Sequence, residues 1–363
     1  MESRSKLDVI QSRLEAPLAD MNGVISESMH TGNELLNRVV TDYLRIKGKQ
    51  IRPIMVLLSA QMFGGINRHV IYAAAALEML HNASLIHDDV VDETRQRRGQ
   101  STVNASWGNH IAVLTGDFFV SKALEVGLRT GSVTVLRGLS ELGVELSTGE
   151  VDQICNARSH HFLEEEYMSM IRKKTASLFT RCILLGADTS FSKEARKERG
   201  PESGSERGSE SGSERGSESA SEGQTDGAEV DLKPILRFAE LLGLCFQIKD
   251  DIFDYYPSTG AIGKPTGNDL REGKVTLPLI YALRTAPKAE ADAMREILLS
   301  HIPSQPEIDR LVEFARNHGG IDYAFGVMER MRREAMEMLD EYPDSPARRS
   351  FADIFDFIIN RNY

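Results

Sequence analysis

"VIYAAAALEMLHNASLIHDDVVDETRQRRG" spans residues 70–99 and carries both a helical apolar period and a cluster of charge. Apolar residues recur at three- and four-residue steps from Val70 to Val91, the period of a helix and not of a strand. The run is apolar on nearly every side, as helices inside a large bundle are. It ends in Asp88, Asp89 and Asp92. On a helix the first and third of these lie four residues apart and the second and third lie three apart. The spacing therefore predicts three acids crowded on one face. They also stand at the C-terminal end of the helix, where the dipole already disfavours anions. Such a patch implies a cationic partner.

The same period returns in "RPIMVLLSAQMF", "SVTVLRGLSELGVELSTGEVDQI" and "LKPILRFAELLGLCFQIKDDIFDY". Gly64-Gly65, Gly131-Ser132, Pro257 and Gly319-Gly320 punctuate these segments. Strand alternation is scarce. The expectation is an all-α chain, one large helical bundle over residues 1–363 with a central apolar cavity. At 363 residues, 41% of them hydrophobic, the chain can bury such a core.

Residues 193–231 break the pattern. They repeat GSERGSES from Gly204 and from Gly212, and acids recur every fourth residue from Glu194 to Asp226. Eleven acids and six bases give the segment a charge of -5, nearly half of the chain's -11. With glycines, Pro201 and almost nothing apolar to bury, it reads as a disordered insertion in one domain. The helices on both sides carry matching chemistry, so it is not a domain boundary.

The acidic balance argues against a nucleic-acid binder, since phosphate backbones are held by basic surfaces. Cys155, Cys182 and Cys245 show neither zinc spacing nor a disulfide framework, which fits a reducing cytoplasm. The N-terminal stretch is charged and reads as no signal peptide. The longest apolar stretch, "HVIYAAAALEML", falls short of the ~18 residues that a spanning helix needs. No transmembrane segment is expected, although product release at a membrane surface would suit a greasy ligand.

A second acid triplet, Asp250, Asp251 and Asp254, closes another apolar helix with the same spacing. Two oxygen-only clusters suit a hard cation. Mg²⁺ is the preferred one, because it binds few carboxylates, keeps waters and bridges to phosphates. Basic residues surround both clusters: Lys49, Arg52, Arg97, Arg98, Lys174, Lys264 and Lys274, with His81 two turns before Asp88. Together with the acids they describe a site for polyanions, in which metal-bridged phosphate meets Asp and direct pairing meets Arg and Lys.

These residues resemble the trans-isoprenyl diphosphate synthases, the polyprenyl synthetases. The matching motifs run in family order: GKxxRP at 48–53, "LIHDDVVD" with "RRG" at 85–99, "GEVDQ" at 149–153, "KTA" at 174–176, and "FQIKDDIFD" followed by "GKPTGNDLREGKVTLP" at 246–278. The insertion departs from the family, which links these helices briefly. The resemblance implies that Asp88, Asp89, Asp92, Asp250, Asp251 and Asp254 hold Mg²⁺ on an allylic diphosphate. It gives Arg97, Lys174, Thr175, Gln247, Lys264 and Lys274 that same diphosphate, and Lys49, Arg52, His81 and Arg98 the diphosphate of isopentenyl diphosphate. Gln153 is placed near the reacting carbon, and a homodimer is implied.

Ala83 and Ser84 stand five and four residues before Asp88, where many short-chain members carry a bulky aromatic. Both are small, which favours a long-chain polyprenyl product. Shorter farnesyl or geranylgeranyl products, and a non-catalytic subunit of a heteromer, are the alternatives. A terpene cyclase is disfavoured by the intact "DDIFD" and by Lys49, Arg52, His81 and Arg98.

Overall fold

A computed structural model describes residues 5–45, 48–97, 99–159, 162–191, 231–256, 267–300 and 303–361. Arg98, Lys264 and residues 192–230, which make up nearly all of the serine-rich segment, lie outside this set. The described residues are helical almost throughout, as the periodicity predicts. The one strand pair among them is a short antiparallel ladder, β1 (Gln96–Arg97) with β2 (Gln100–Ser101).

Helix α5 (Arg68–Val91) is the central member. The side chain of Asn67 caps its start, accepting from the amides of His69 at 2.8 Å and Val70 at 3.1 Å. Ala73, Ala74, Ala75 and Ala76 are all fully buried. Their small side chains let neighbouring helices approach α5 closely. Those neighbours are α2 (Glu15–Ser28), α4 (Ile51–Phe63), the short α6 (Val103–Trp107), α7 (Asn109–Leu128), α8 (Val133–Ser159) and α10 (Ser177–Ser190). Helices α4 and α10 meet backbone to side chain, where the Ser59 hydroxyl donates to the Ile183 carbonyl at 2.7 Å.

The second aspartate helix, α11 (Lys233–Phe253), starts with Pro234 in its first turn, where a missing amide costs nothing. Its Phe238 meets Phe351 and Phe355 of α17 (Pro346–Asn360) edge to face. Helix α1 (Lys6–Arg13) packs on α17, and α3 (Glu34–Leu44) packs on α7. Between α8 and α10, helix α9 (Glu164–Ile171) runs into a π turn at Arg172–Ala176. The short α12 (Asn268–Arg271) follows the second cluster, and α13 (Leu277–Thr285), α14 (Lys288–Ser300), α15 (Gln305–Asn317) and α16 (Gly320–Asp340) complete the bundle.

Candidate active site

The ends of α5 and α11 open on one cavity of about 470 Å³. Asp88 and Asp92 stand on its wall from α5, and Asp250 stands there from α11. Arg52, His81, Ser84, Arg97, Lys174, Thr175 and Gln247 share the wall. Residues from stretches that lie far apart in sequence thus converge on one space.

The six aspartates do not crowd one face, and here the sequence reading needs correction. Adjacent residues on a helix differ by about 100° of rotation, so each cluster splits. Asp89 is buried and turns away to Arg97, whose Nε and Nη2 donate to Asp89 Oδ1 at 2.9 and 2.8 Å. Asp251 accepts from the Tyr167 hydroxyl at 2.6 Å and from the Gln247 amide at 2.8 Å. Asp254 accepts from the amides of Asn268 and Asp269 at 2.9 and 3.0 Å, and so caps α12. Asp92 pairs with Lys274 at 3.2 Å, and Asp250 pairs with Arg361 at 2.6 Å.

Lys174 is aimed by an irregularity. It lies in the π turn, which widens the helix by one residue and rotates the residues beyond it. Two glycines admit that bulge. A Cβ on Gly149 of α8 would fall 2.8 Å from the Lys174 amide nitrogen, and one on Gly243 of α11 would fall 2.5 Å from Ala176 Cα. In place, Lys174 is ion-paired with Glu150 and donates to Gln153 Oε1 at 2.9 Å. Thr175 donates to Gln247 Oε1 at 2.7 Å. The guanidinium of Arg52 lies 5.6 and 5.8 Å from the ring centres of Phe179 and Phe246. Lys49 is not on this wall. Its ammonium sits 5.1 Å over the Phe357 ring, and its charge still acts on Asp250.

Burial raises the Asp88 carboxyl to about 6; Lys174 offsets this in part, and Glu150 adds to it. Burial also raises Asp250, against the pull of Arg361, Arg52 and Lys49. Asp251 is raised by burial despite its bonds from Tyr167 and Gln247. Burial is the largest cause in all three, and a cation bound at the wall would offset it for the carboxylates that face the cavity. Among the described residues, no three His, Cys, Asp or Glu side chains already form a chelate. The donor set fits an ion that takes one or two carboxylates and completes its shell with water and phosphate, as Mg²⁺ does.

Of the two residues read as setting product length, Ser84 lines the cavity, its hydroxyl turned back to the His81 carbonyl at 2.9 Å. Ala83 is packed in the core and is not on that wall. A larger hollow of about 650 Å³ opens on the other face of α5, carrying Asp89 but neither Asp88 nor the second cluster. Sequence reading passed over Glu150, Tyr167 and Arg361. Glu150 sits inside the quoted "GEVDQ", three residues before Gln153, so its signal was present. Tyr167 and Arg361 carry none, because they meet their aspartates only through the fold.

Residues 33–206 and 220–315 match the polyprenyl synthetase family. The all-trans-nonaprenyl-diphosphate synthase (geranyl-diphosphate specific) of Rhodobacter capsulatus is 31% identical over 94% of each chain. The crystal structure of a polyprenyl synthase from Caulobacter crescentus CB15, complexed with calcium and isoprenyl diphosphate, superposes with a TM-score of 0.81 at 26% identity, covering 99% of both chains. A geranylgeranyl pyrophosphate synthase from Bacteroides thetaiotaomicron does so at 0.75 and 32% identity, covering 98% of this chain and 99% of its own. With the motifs in order and the match running through most of its length, the chain belongs to the polyprenyl synthetase family and is a trans-prenyltransferase.

Proposed function

We propose that the protein condenses isopentenyl diphosphate with an allylic diphosphate, with Mg²⁺ as cofactor, to build a long all-trans polyprenyl diphosphate. The observation that carries this reading is the single cavity on which both aspartate helices and the cations Arg52, Arg97 and Lys174 converge. Asp88, Asp92 and Asp250 are the foremost metal ligands in this proposal, because they face the cavity. Asp89, Asp251 and Asp254 support the two helix ends through their own bonds. Bound there, Mg²⁺ would neutralise the charge that gathers on the diphosphate as its C–O bond breaks.

The chain's own groups do the rest. Arg97, Lys174, Thr175, Gln247, Lys264 and Lys274 hold the allylic diphosphate, and Lys49, Arg52, His81 and Arg98 hold the isopentenyl one. Burial disfavours charge on Lys274, but Glu272 and Asp92 outweigh it and keep the ammonium protonated. Two diphosphates fixed side by side bring the alkene to the allylic carbon, which removes the entropy cost of their encounter. Leu85, Leu146, Leu178 and Phe246 on the same wall keep water from the allylic cation. The departing diphosphate takes the final proton, so no further base is required.

A long product is supported by Ser84, a small side chain at the wall position one turn before Asp88. A homodimer is supported by an uncovered apolar face on α7 and α8, where Leu114, Leu128, Val133, Val144 and Val151 are each more than half exposed. A second copy would cover it. One domain interrupted at 193–231, working in the cytoplasm, completes the reading. No helix among the described residues is long and apolar enough to cross a membrane.

The test is incubation of the purified protein with isopentenyl diphosphate, an allylic starter and Mg²⁺, followed by mass analysis of the products. Polyprenyl diphosphates longer than geranylgeranyl diphosphate are expected. No incorporation by the purified homomer overturns the reading in favour of a non-catalytic subunit.

A further inference from the structure

We infer that the two N-terminal helices position the isopentenyl diphosphate grip, with Asn22 and Gln11 holding the Lys49–Gln50 backbone in the conformation that aims Lys49 and Arg52. The inference rests on the assignment of those two cations to isopentenyl diphosphate.

Gln50 has φ 50° and ψ 36°, a left-handed conformation in which a side chain is strained. It and Glu93 are the two non-glycine residues with positive φ among the described residues. Gln50 is also the residue from which α4 begins: its carbonyl accepts from the Ile54 amide at 3.1 Å. The turn at Gln50 therefore sets the angle between Lys49, just before it, and Arg52, in the first helical turn after it. Strain of this kind persists only where surrounding contacts over-determine it.

Two such contacts are present. The Gln50 side-chain amide donates to Asn22 Oδ1 at 3.0 Å, and the Gln11 amide donates to the Lys49 carbonyl at 2.8 Å. Asn22 cannot turn away, because its own Nδ2 donates to the Leu18 carbonyl one helical turn earlier at 2.6 Å. That bond leaves Oδ1 facing Gln50. Ile10, Leu14, Leu18 and Met21 fix α1 and α2 in the core, so the tether is anchored at its far end. Asn22 and Gln11 are positioning residues that act on the substrate only through Lys49 and Arg52.

The experiment is steady-state kinetics with each substrate varied in turn. Asn22→Ala is expected to raise the KM for isopentenyl diphosphate about fivefold, roughly the worth of one hydrogen bond, and to leave the allylic KM within about twofold. Gln50→Gly in the Asn22→Ala background is expected to restore the isopentenyl KM, because glycine adopts the left-handed conformation without strain. If Asn22→Ala is too unstable to purify, Gln50→Ala carries the same test, since it keeps the strain and loses the amide. An unchanged isopentenyl KM, an equal rise for both substrates, or no rescue by Gln50→Gly overturns the inference. Arg52→Ala separates the two layers: if it leaves the isopentenyl KM unchanged, the substrate assignment fails, whereas a rise there with none in Asn22→Ala sinks the tether alone.

Discussion

Asp88 and Asp89 are sequence neighbours that do different work. Asp88 faces the cavity with its carboxyl raised by burial, while Asp89 is spent on Arg97. The same division separates Asp250 from Asp251, which the Tyr167 hydroxyl and the Gln247 amide hold. Tyr167→Phe removes one of those bonds without changing the ring that packs. Its expected effect is a weaker Mg²⁺ response, with half-saturation at severalfold higher Mg²⁺ and a melting temperature lowered by about one degree, as the loss of about 1 kcal/mol predicts. Titration of activity and of melting temperature against Mg²⁺ checks both. Ser84→Phe places an aromatic on the cavity wall and is expected to shorten the product, as mass analysis of its products would show.

The π turn is the feature that aims Lys174, and Gly149 and Gly243 leave room for it. Gly149→Ala puts a methyl against the Lys174 backbone, where backbone cannot swing aside. Overpacking of this kind costs about 1–3 kcal/mol, so a lower melting temperature and a raised allylic KM are expected together. The helices themselves were legible in the sequence, because burial imposes the 3.6-residue period that the reading detects. The π turn was not, since "RKKTA" carries the same apolar spacing as an ordinary helix and the bulge depends on glycines from two other helices. The splitting of each acid triplet was legible in principle, because the rotation between adjacent residues is fixed. It was misread because spacing alone does not say which neighbour waits on each side. Arg361 lies 111 residues from Asp250, and no local pattern connects them.

Across the bundle, the first and last helices among the described residues meet. Lys6 of α1 binds Asp353 and Asp356 of α17 at 2.8 and 2.9 Å, and Arg332 of α16 reaches Asp356 at 2.8 Å. Burial pushes the Asp356 carboxyl up, but the bonds from Lys6 and Arg332 outweigh it and hold it below the usual range. A depressed carboxyl stabilises the fold above its unfolded pKa and loses that contribution as pH falls through the folded value. Asp356→Asn is therefore expected to destabilise by less than about 1 kcal/mol at about pH 7, because the group is partly exposed, and the difference should vanish in acid. Urea unfolding at both pH values checks it.

Both aspartate clusters are expected to serve one reaction from opposite sides of one cavity. The measurement is incorporation of labelled isopentenyl diphosphate by the wild type, Asp88→Asn and Asp250→Asn under saturating Mg²⁺. Each single substitution is expected to lower turnover about a hundredfold or more while leaving the folded state intact by circular dichroism, because each removes charge where the leaving group departs. Wild-type turnover in either folded variant would mean that its cluster takes no part in the reaction.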